Sequence, residues 1–307
     1  MNRLSLFFPF LFLTVLLSCR STNKDKAGES SDFPEELVTF TAWEGNPLFT
    51  GTDTTTWDRY IRERGFILRE DSLYNMWYTG YSRKKDAVMQ LGYATSTDGI
   101  HWQRYPENPV HTGKWVEDMF VIKQDSLYYM FAEGKDDVAH LMRSTDKIHW
   151  TEMGDLDVRK TNGEAIDKGP YGTPAAWYEN DTWYLFYERG DLGIWLATSK
   201  DMIVWTNVQD DPVIAMGPEP YDKYAVAMNQ VIKYNGLYYG YYHGSAYEDW
   251  REWSTNVAVS KDLIHWKKYE SNPIIGDDTS SGILVPDGDR FRLYSMHDKV
   301  RLYMPVK

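Results

Sequence analysis

The chain has 307 residues, a net charge of −12, and 13 Trp, 23 Tyr and 12 Phe. No basic stripe interrupts the negative charge, so a phosphate-backbone partner is excluded and no nucleic acid is expected. The single Cys, at position 19, excludes an internal disulfide, and no Cys or His cluster has zinc spacing.

The chain opens with one positive charge in Met1-Asn2-Arg3 and an apolar run from Leu4 to Leu17. That run is too short and too sharply ended to span a membrane, but it suits a secretory signal. It stops at Leu16-Leu17-Ser18-Cys19, which looks like the bacterial lipobox, where the Cys becomes the lipidated first residue. Residues 1–18 are therefore expected to be a lipoprotein signal peptide and the polar stretch 19–35 a flexible tether. The mature protein is expected at the bacterial cell envelope, periplasmic or outer-surface, held to a membrane by a lipid on Cys19.

Beyond the tether, one unit recurs five times: a short apolar run, a polar turn and an aromatic run. Its first copies are Phe66-Ile67-Leu68 with Leu73-Tyr74-Asn75-Met76-Trp77-Tyr78, and Phe120-Val121-Ile122 with Leu127-Tyr128-Tyr129-Met130-Phe131. Aligned on Tyr74, Tyr128, Tyr184, Tyr238 and Phe291, the units are spaced by 54, 56, 54 and 53 residues. Near-constant spacing of that size indicates a repeat array or propeller. Four units are followed by Ser-x-Asp-x-x-x-Trp, at Ser96 to Trp102, Ser144 to Trp150, Ser199 to Trp205 and Ser260 to Trp266. Ser and Asp side chains can hold a tight turn by accepting nearby amides, and the Trp then starts the next strand. Each unit thus supplies about four strands, the content of a propeller blade.

The fifth unit ends at Lys307 without the motif, so it lacks an outermost strand. The apolar stretch Leu37 to Trp43 is expected to supply it, closing the ring and removing the exposed sheet edge. Residues 36–307 are therefore read as one domain, an all-β, five-bladed β-propeller closed by an N-terminal strand, and a monomer is expected. His101, His149 and His265 recur in Ile-His-Trp within the hairpins and are read as structural, and Asp287-Gly288-Asp289 as a hairpin turn.

In a propeller the innermost strands begin around one axial pocket. The segments placed there are Trp57 to Arg64, Trp115 to Asp118, Tyr171 to Pro174, Ala227 to Asn229 and Thr279 to Ser281. The returning second strands bring Glu133, Glu188-Arg189, His243 and His297-Asp298 to a second layer. Several carboxylates with two His, Arg and flanking aromatics fit glycosidic-bond chemistry: an acid for the leaving oxygen, a base or nucleophile opposite, and flat rings for sugar faces.

The repeated turn and the aromatic blades resemble the five-bladed propeller glycoside hydrolases, the superfamily of arabinanases, β-xylosidases, invertases and levanases, over residues 36–307. The resemblance implies one carboxylate in each of the first three blades. It places Glu63 on the first-blade position as base or nucleophile. Asp118, in Glu117-Asp118-Met119, falls on the second-blade position that orients or stabilises. Where the third-blade acid is expected, the chain has Gly172-Thr173-Pro174. Glu188 is the nearest carboxylate able to replace it, with Glu164 and His243 as other candidates.

Trp57, Trp115 and Tyr171 are assigned to sugar contact, and Asp58, Arg64, Glu117, Arg189, Asn229, His243 and His297 to substrate binding. No metal or cofactor is required; some members of the superfamily hold an axial cation through a His, which would put a calcium near His297. The expected function is a glycoside hydrolase acting at the non-reducing end of an oligosaccharide. A non-catalytic carbohydrate-binding lipoprotein stays open because of the missing acid. So does a phosphorylase in which Arg62, Arg64 and Arg189 hold phosphate.

Overall fold

The computed structural model describes residues 32–52, 55–83 and 87–306, apart from the side chain of Glu63. The expected signal peptide and Cys19 lie outside the described residues. Five sheets form five blades. The first blade holds Tyr60–Glu70, Leu73–Tyr81, Gln90–Ser96 and Gln103–Arg104, and the second Glu117–Gln124, Leu127–Glu133, Ala139–Ser144 and Thr151–Asp155. The third holds Ala175–Glu179, Thr182–Glu188, Gly193–Ser199 and Val204–Asn207, with Asp157–Arg159 and Ile214–Ala215 added at its outer side. The fourth holds Ala225–Tyr234, Leu237–Ser245, Trp253–Ser260 and Trp266–Lys268.

The fifth blade consists of Gly282–Asp287, Arg290–Met296 and Val300–Pro305, and its outermost strand is Phe40–Ala42, antiparallel to Val300–Pro305. The ring is thus a five-bladed β-propeller closed by an N-terminal strand. The strand is shorter than the apolar stretch, because Leu37 and Val38 belong to a helical turn, Glu35–Val38, and are buried. Packing also begins before residue 36: Phe33 lies 4.8 Å from the Tyr269 ring, and the Asp32 carbonyl accepts the Tyr239 hydroxyl at 2.8 Å.

The Ser-x-Asp turns are built as their residue types require. In the first, Ser96 Oγ accepts the Gly99 amide at 2.9 Å and Asp98 Oδ1 accepts the Ile100 and His101 amides, both at 2.8 Å. His101, His149 and His265 donate from Nδ1 to the turn Asp at 2.7, 2.7 and 2.8 Å. Each turn Trp then meets an aromatic ring of the preceding blade edge-on. Trp102 meets Tyr294 at 6.3 Å, Trp150 meets Trp77 at 6.1 Å, Trp205 meets Phe131 at 5.8 Å and Trp266 meets Phe186 at 5.9 Å. Such pairs contribute about 0.5–1.5 kcal/mol each beyond their buried area.

The fifth blade has no such Trp. Leu37 takes its place, packing with Tyr239 and Tyr241 and accepting the Tyr241 hydroxyl at 2.8 Å. The N-terminal segment therefore supplies both the missing strand and the missing plug. A second repeated device accompanies it. Asn46, Asn108 and Asn272, each before a Pro, use their side-chain amides to clasp both main-chain groups of Leu302, Tyr93 and Val257 on the neighbouring strand.

Candidate active site

The innermost strands of blades 1, 2 and 4 are each broken near the axis by a shift of register, at Arg62/Phe66, Glu117/Phe120 and Met228/Gln230. Arg64 (φ 50°) and Asp118 (φ 46°) take left-handed backbone angles at the first two of these shifts, as does Thr173 (φ 45°) just before the innermost strand of blade 3. A bulge breaks the strict alternation of side chains across a sheet. Glu117 and Asp118, adjacent in sequence, therefore both reach the neighbourhood of Glu133.

A cavity of about 200 Å³ opens at this end of the ring. Blade 1 lines it with Arg62, blade 2 with Asp118, Glu133 and Asp137, and blade 3 with Thr173, Glu188 and Asp191. His243, Trp250 and Trp253 come from blade 4. A larger hollow of about 470 Å³ lies between Trp43, Tyr234 and Phe291, but it has no buried carboxylate.

Glu133 and Glu188 are the buried acids of the cavity. Glu133 Oε2 accepts the Thr173 amide at 2.8 Å, and Glu188 Oε1 accepts the Gly172 amide at 2.8 Å, with Asp191 N donating to Glu188 Oε2. Gly172 is required for this approach: a Cβ there would collide with Glu133 Oε2 and lie 2.9 Å from Glu188 Oε1. The third blade, which offers no acid of its own at Gly172-Thr173-Pro174, thus has two carboxyls folded over that spot from second strands. Burial pushes Glu133 well above the ordinary carboxyl range, and Asp118, Glu117, Glu188 and Asp137 push it further. Burial also raises Glu188, against the pull of the Asp191 and Gly172 amides.

The Thr173 hydroxyl lies 3.3 Å from Asp118 Oδ2 and 3.2 Å from Glu133 Oε2. One hydroxyl proton serves one acceptor fully, so a proton on Glu133 completes the chain from Glu133 through Thr173 to Asp118. On the facing side His243 Nδ1 donates to Asn229 Oδ1 at 2.8 Å, and its ring meets Trp253 edge-on at 5.2 Å.

No family model matches the chain. Two curated relatives from Mycobacterium tuberculosis, the uncharacterized proteins MT1551 and Rv1502, are 24% and 25% identical over 60% of this chain and 67% of their own length. Among solved structures, a glycosyl hydrolase from Bacteroides ovatus superposes with a TM-score of 0.71 at 16% identity, over 90% of this chain and 97% of the other. A structure from work on glycoside hydrolases that target β-1,2 mannosidic linkages in Candida mannan, within the GH130 family of mannoside phosphorylases, gives 0.69 at 16% identity, over 89% and 95%. The Podospora anserina α-L-arabinofuranosidase PaAbf62A, in complex with cellotriose, gives 0.67 at 12% identity, over 90% and 99%. The chain has the fold of the five-bladed propeller glycoside hydrolases.

Against that fold the sequence-derived residues divide. Asp118, Glu188 and His243 line the cavity, and Asn229 holds His243. Trp115 Nε1 donates to Glu117 Oε1 at 2.7 Å, and Glu117 is ion-paired with Arg62, so both support the cavity wall. Glu63 lies on the first innermost strand directly before Arg64, and its side chain is outside the described part.

Other residues are placed elsewhere. Asp58 is buried against Arg104 Nε at 3.0 Å, Thr52 Oγ1 at 2.7 Å and the Tyr78 hydroxyl at 3.1 Å, and Trp57 stacks on Tyr78 at 5.8 Å. These two residues knit blade 1. Arg64 is fully buried and gives its guanidinium to the carbonyls of Asp118, Thr173, Pro174 and Met228, tying blades 1 to 4 at the hub. Tyr171 turns its hydroxyl to the Leu156 carbonyl at 3.0 Å. Arg189 donates to the carbonyls of Pro170 and Asp167 at 3.1 and 2.8 Å, and forms no ion pair with Glu188 among the described residues. His297 pairs with Ser280 Oγ at 2.8 Å and is not among the cavity residues.

No cluster of three metal-ligating side chains includes His297 among the described residues; the one such cluster is Glu117, Glu133 and Asp137, where Arg62 already balances Glu117. Sequence reading missed Asp137, Asp191, Trp250 and Trp253. The first two follow Glu133 and Glu188 by four and three residues, a recurrence after the second strand that was there to be found.

Proposed function

We propose that the chain is a glycoside hydrolase that cleaves an oligosaccharide from its non-reducing end. The observation that carries this reading is the convergence of Glu188 and Glu133 on the adjacent backbone amides of Gly172 and Thr173, in place of a third-blade acid. A buried carboxyl kept protonated near neutrality is what a general acid needs. Glu188, whose carboxyl is raised by burial, is assigned as the acid, delivering its proton to the leaving oxygen. Glu133, crowded by four other carboxyls, favours retention of a proton at this spot. Asp118, oriented by the Thr173 hydroxyl, stabilises positive charge developing on the sugar ring. Glu63 is assigned as base or nucleophile from its strand position beside Arg62.

Hydrolysis is preferred to phosphate-dependent cleavage. Of the three arginines considered for phosphate, Arg64 and Arg189 are occupied by main-chain carbonyls, and Arg62 faces Glu117. A cavity of about 200 Å³, walled on several sides, suits the terminal ring of a chain better than an internal one. By the same proposal the protein works at the cell envelope, where a lipid on Cys19 would hold it.

Glu188→Gln is the deciding variant. It is expected to lower kcat on a natural oligosaccharide by about 10²–10⁴-fold, the usual contribution of a general acid. The loss should shrink on a glycosyl fluoride, whose leaving group needs no proton. An equal loss on both substrates, with the fold intact by circular dichroism, would remove Glu188 from this role.

A further inference from the structure

The loop between the second and third strands of blade 4 brings Trp250 to the mouth of the cavity, beside Trp253 and on the same hollow as Asp118 and Glu188. Trp250 is 54% exposed, more than any other large aromatic residue among those described. Its backbone φ is 57°, and that of Glu252 is 55°, a region bulky side chains rarely enter. Strain at such a residue persists only where the surroundings impose it, and it collects at ligand sites.

The surroundings do impose it here. Trp250 N donates to the Tyr247 carbonyl at 3.0 Å, and Ser245 Oγ lies 2.9 Å from the Arg251 carbonyl and 3.2 Å from that of Tyr247. Arg251 is held over the Tyr247 ring at 4.3 Å and beside Asp249 at 3.0 Å. The neighbours are thus matched with one another, whereas Trp250 has no ring or cation partner among the described residues. A fixed loop presents a bare indole next to buried acids, at a cost in both backbone strain and exposed apolar surface.

We propose that Trp250 is the stacking platform for the sugar ring on the leaving-group side of the scissile bond, an inference that rests on the glycosidase reading. The ring being cleaved occupies the deep end, near Glu133, Glu188 and Thr173. The next ring along the chain then lies at the rim, where the flat C–H face of a pyranose or furanose covers the indole. The platform selects oligosaccharides over glycosides with small aglycones.

The test uses the selective oxidation of exposed indoles by N-bromosuccinimide, followed by peptide mass spectrometry. Trp43, 40% exposed and remote from the cavity, is the internal control. The full chain carrying Glu188→Gln is treated with and without β-1,2-mannobiose, arabinotriose and cellotriose, while the unmutated protein is assayed for turnover of each. A sugar that is turned over, supplied at about ten times its Kd, is expected to slow oxidation of Trp250 roughly tenfold and leave Trp43 unchanged. Trp250→Ala should raise KM for that sugar by a similar factor, and Trp250→Phe should restore it.

Turnover without protection of Trp250, equal protection of both indoles, or an unchanged KM in Trp250→Ala would overturn the platform and leave the glycosidase reading standing. Neither turnover nor protection with any of the three sugars would count against both.

Discussion

At one end of the innermost strands, Glu70 and Glu179 each meet a lysine and a tyrosine of the next blade. At the other end, Glu133 and Glu188 meet amides, the Thr173 hydroxyl and further carboxylates. Glu70 lies 2.7 Å from Lys123, contacts Lys147 at 2.6 Å and accepts the Tyr128 hydroxyl; Glu179 takes the same part with Lys233 and Tyr238. Burial works to raise Glu70, yet Lys123, Lys147 and Tyr128 hold it at about 2. Burial raises Glu133 and Glu188; the two amides and Arg189 pull Glu188 down without reversing the shift, and no lysine or arginine forms an ion pair with either carboxyl among the described residues. One residue type on one radial scaffold is therefore a clasp between blades where a lysine is supplied, and a proton store where it is withheld. Accumulating buried acid without ion-paired cations costs stability, a cost that the proposed chemistry at the second end would account for.

The comparison is broken most severely at Gly172. Gly172→Ala places a Cβ against both Glu133 Oε2 and Glu188 Oε1, and one of the two carboxyls must swing away. A misplacement of about 1 Å in a catalytic group costs roughly 10²-fold in rate. We expect kcat to fall by about that factor, with the propeller intact by circular dichroism. Undiminished kcat in a folded Gly172→Ala protein would show that the two acids are not what the site depends on.

The same contrast explains what the sequence discloses. The blades are legible because their determinants are periodic and local: a Ser and an Asp two residues apart make their turn wherever they occur, and the Trp four residues later packs wherever there is a preceding blade. Closure by residues 40–42 is legible for the same reason, as the one gap in the period. That Asp118, Glu133, Glu188 and His243 line one cavity is legible because strand ends are set by the repeat. Asp58 and Arg64 were misread because a charged residue near the hub looks alike in sequence whether it faces a ligand, Arg104 or four carbonyls. For Arg64 (φ 50°) a left-handed backbone angle accompanies its turn to the carbonyls, and that angle is not visible in the sequence. Asp137 (φ 55°), Asp191 (φ 60°) and Trp250 (φ 57°) also have left-handed backbone angles, outside the period.

A smaller effect separates the two ends thermodynamically. A carboxyl with a raised pKa binds its proton more tightly in the folded state, so its contribution is whole below the unfolded pKa of about 4.5 and is lost as pH climbs. Glu133→Gln removes that loss. Its Tm at pH 7 should exceed that of the parent by about 2–4 °C, the shift that ~1 kcal/mol produces in a large domain, and the difference should vanish near pH 4. Activity should fall at the same time. A variant that is less stable at pH 7 would mean that Glu133 is ionised and balanced, and the proton store would be lost with it.

Glu70→Gln should act with the opposite sign and the least force. Because the folded pKa lies at about 2 and the unfolded value at about 4.5, the clasp stabilises fully above pH 4.5 and is lost as pH falls through 2. Solvent reaches this end of the strands and screens the ion pairs, so the neutral-pH loss is expected to be only about 0.5–1 kcal/mol. Added salt should shrink that loss further, whereas it should leave the gain in Glu133→Gln nearly unchanged, since buried charges are screened far less. Urea melts of both variants at low and high salt read this difference directly. A salt response of the same size in both would mean that the two ends share one electrostatic environment, and a contrast in lysine supply would then no longer distinguish a structural carboxylate from a catalytic one.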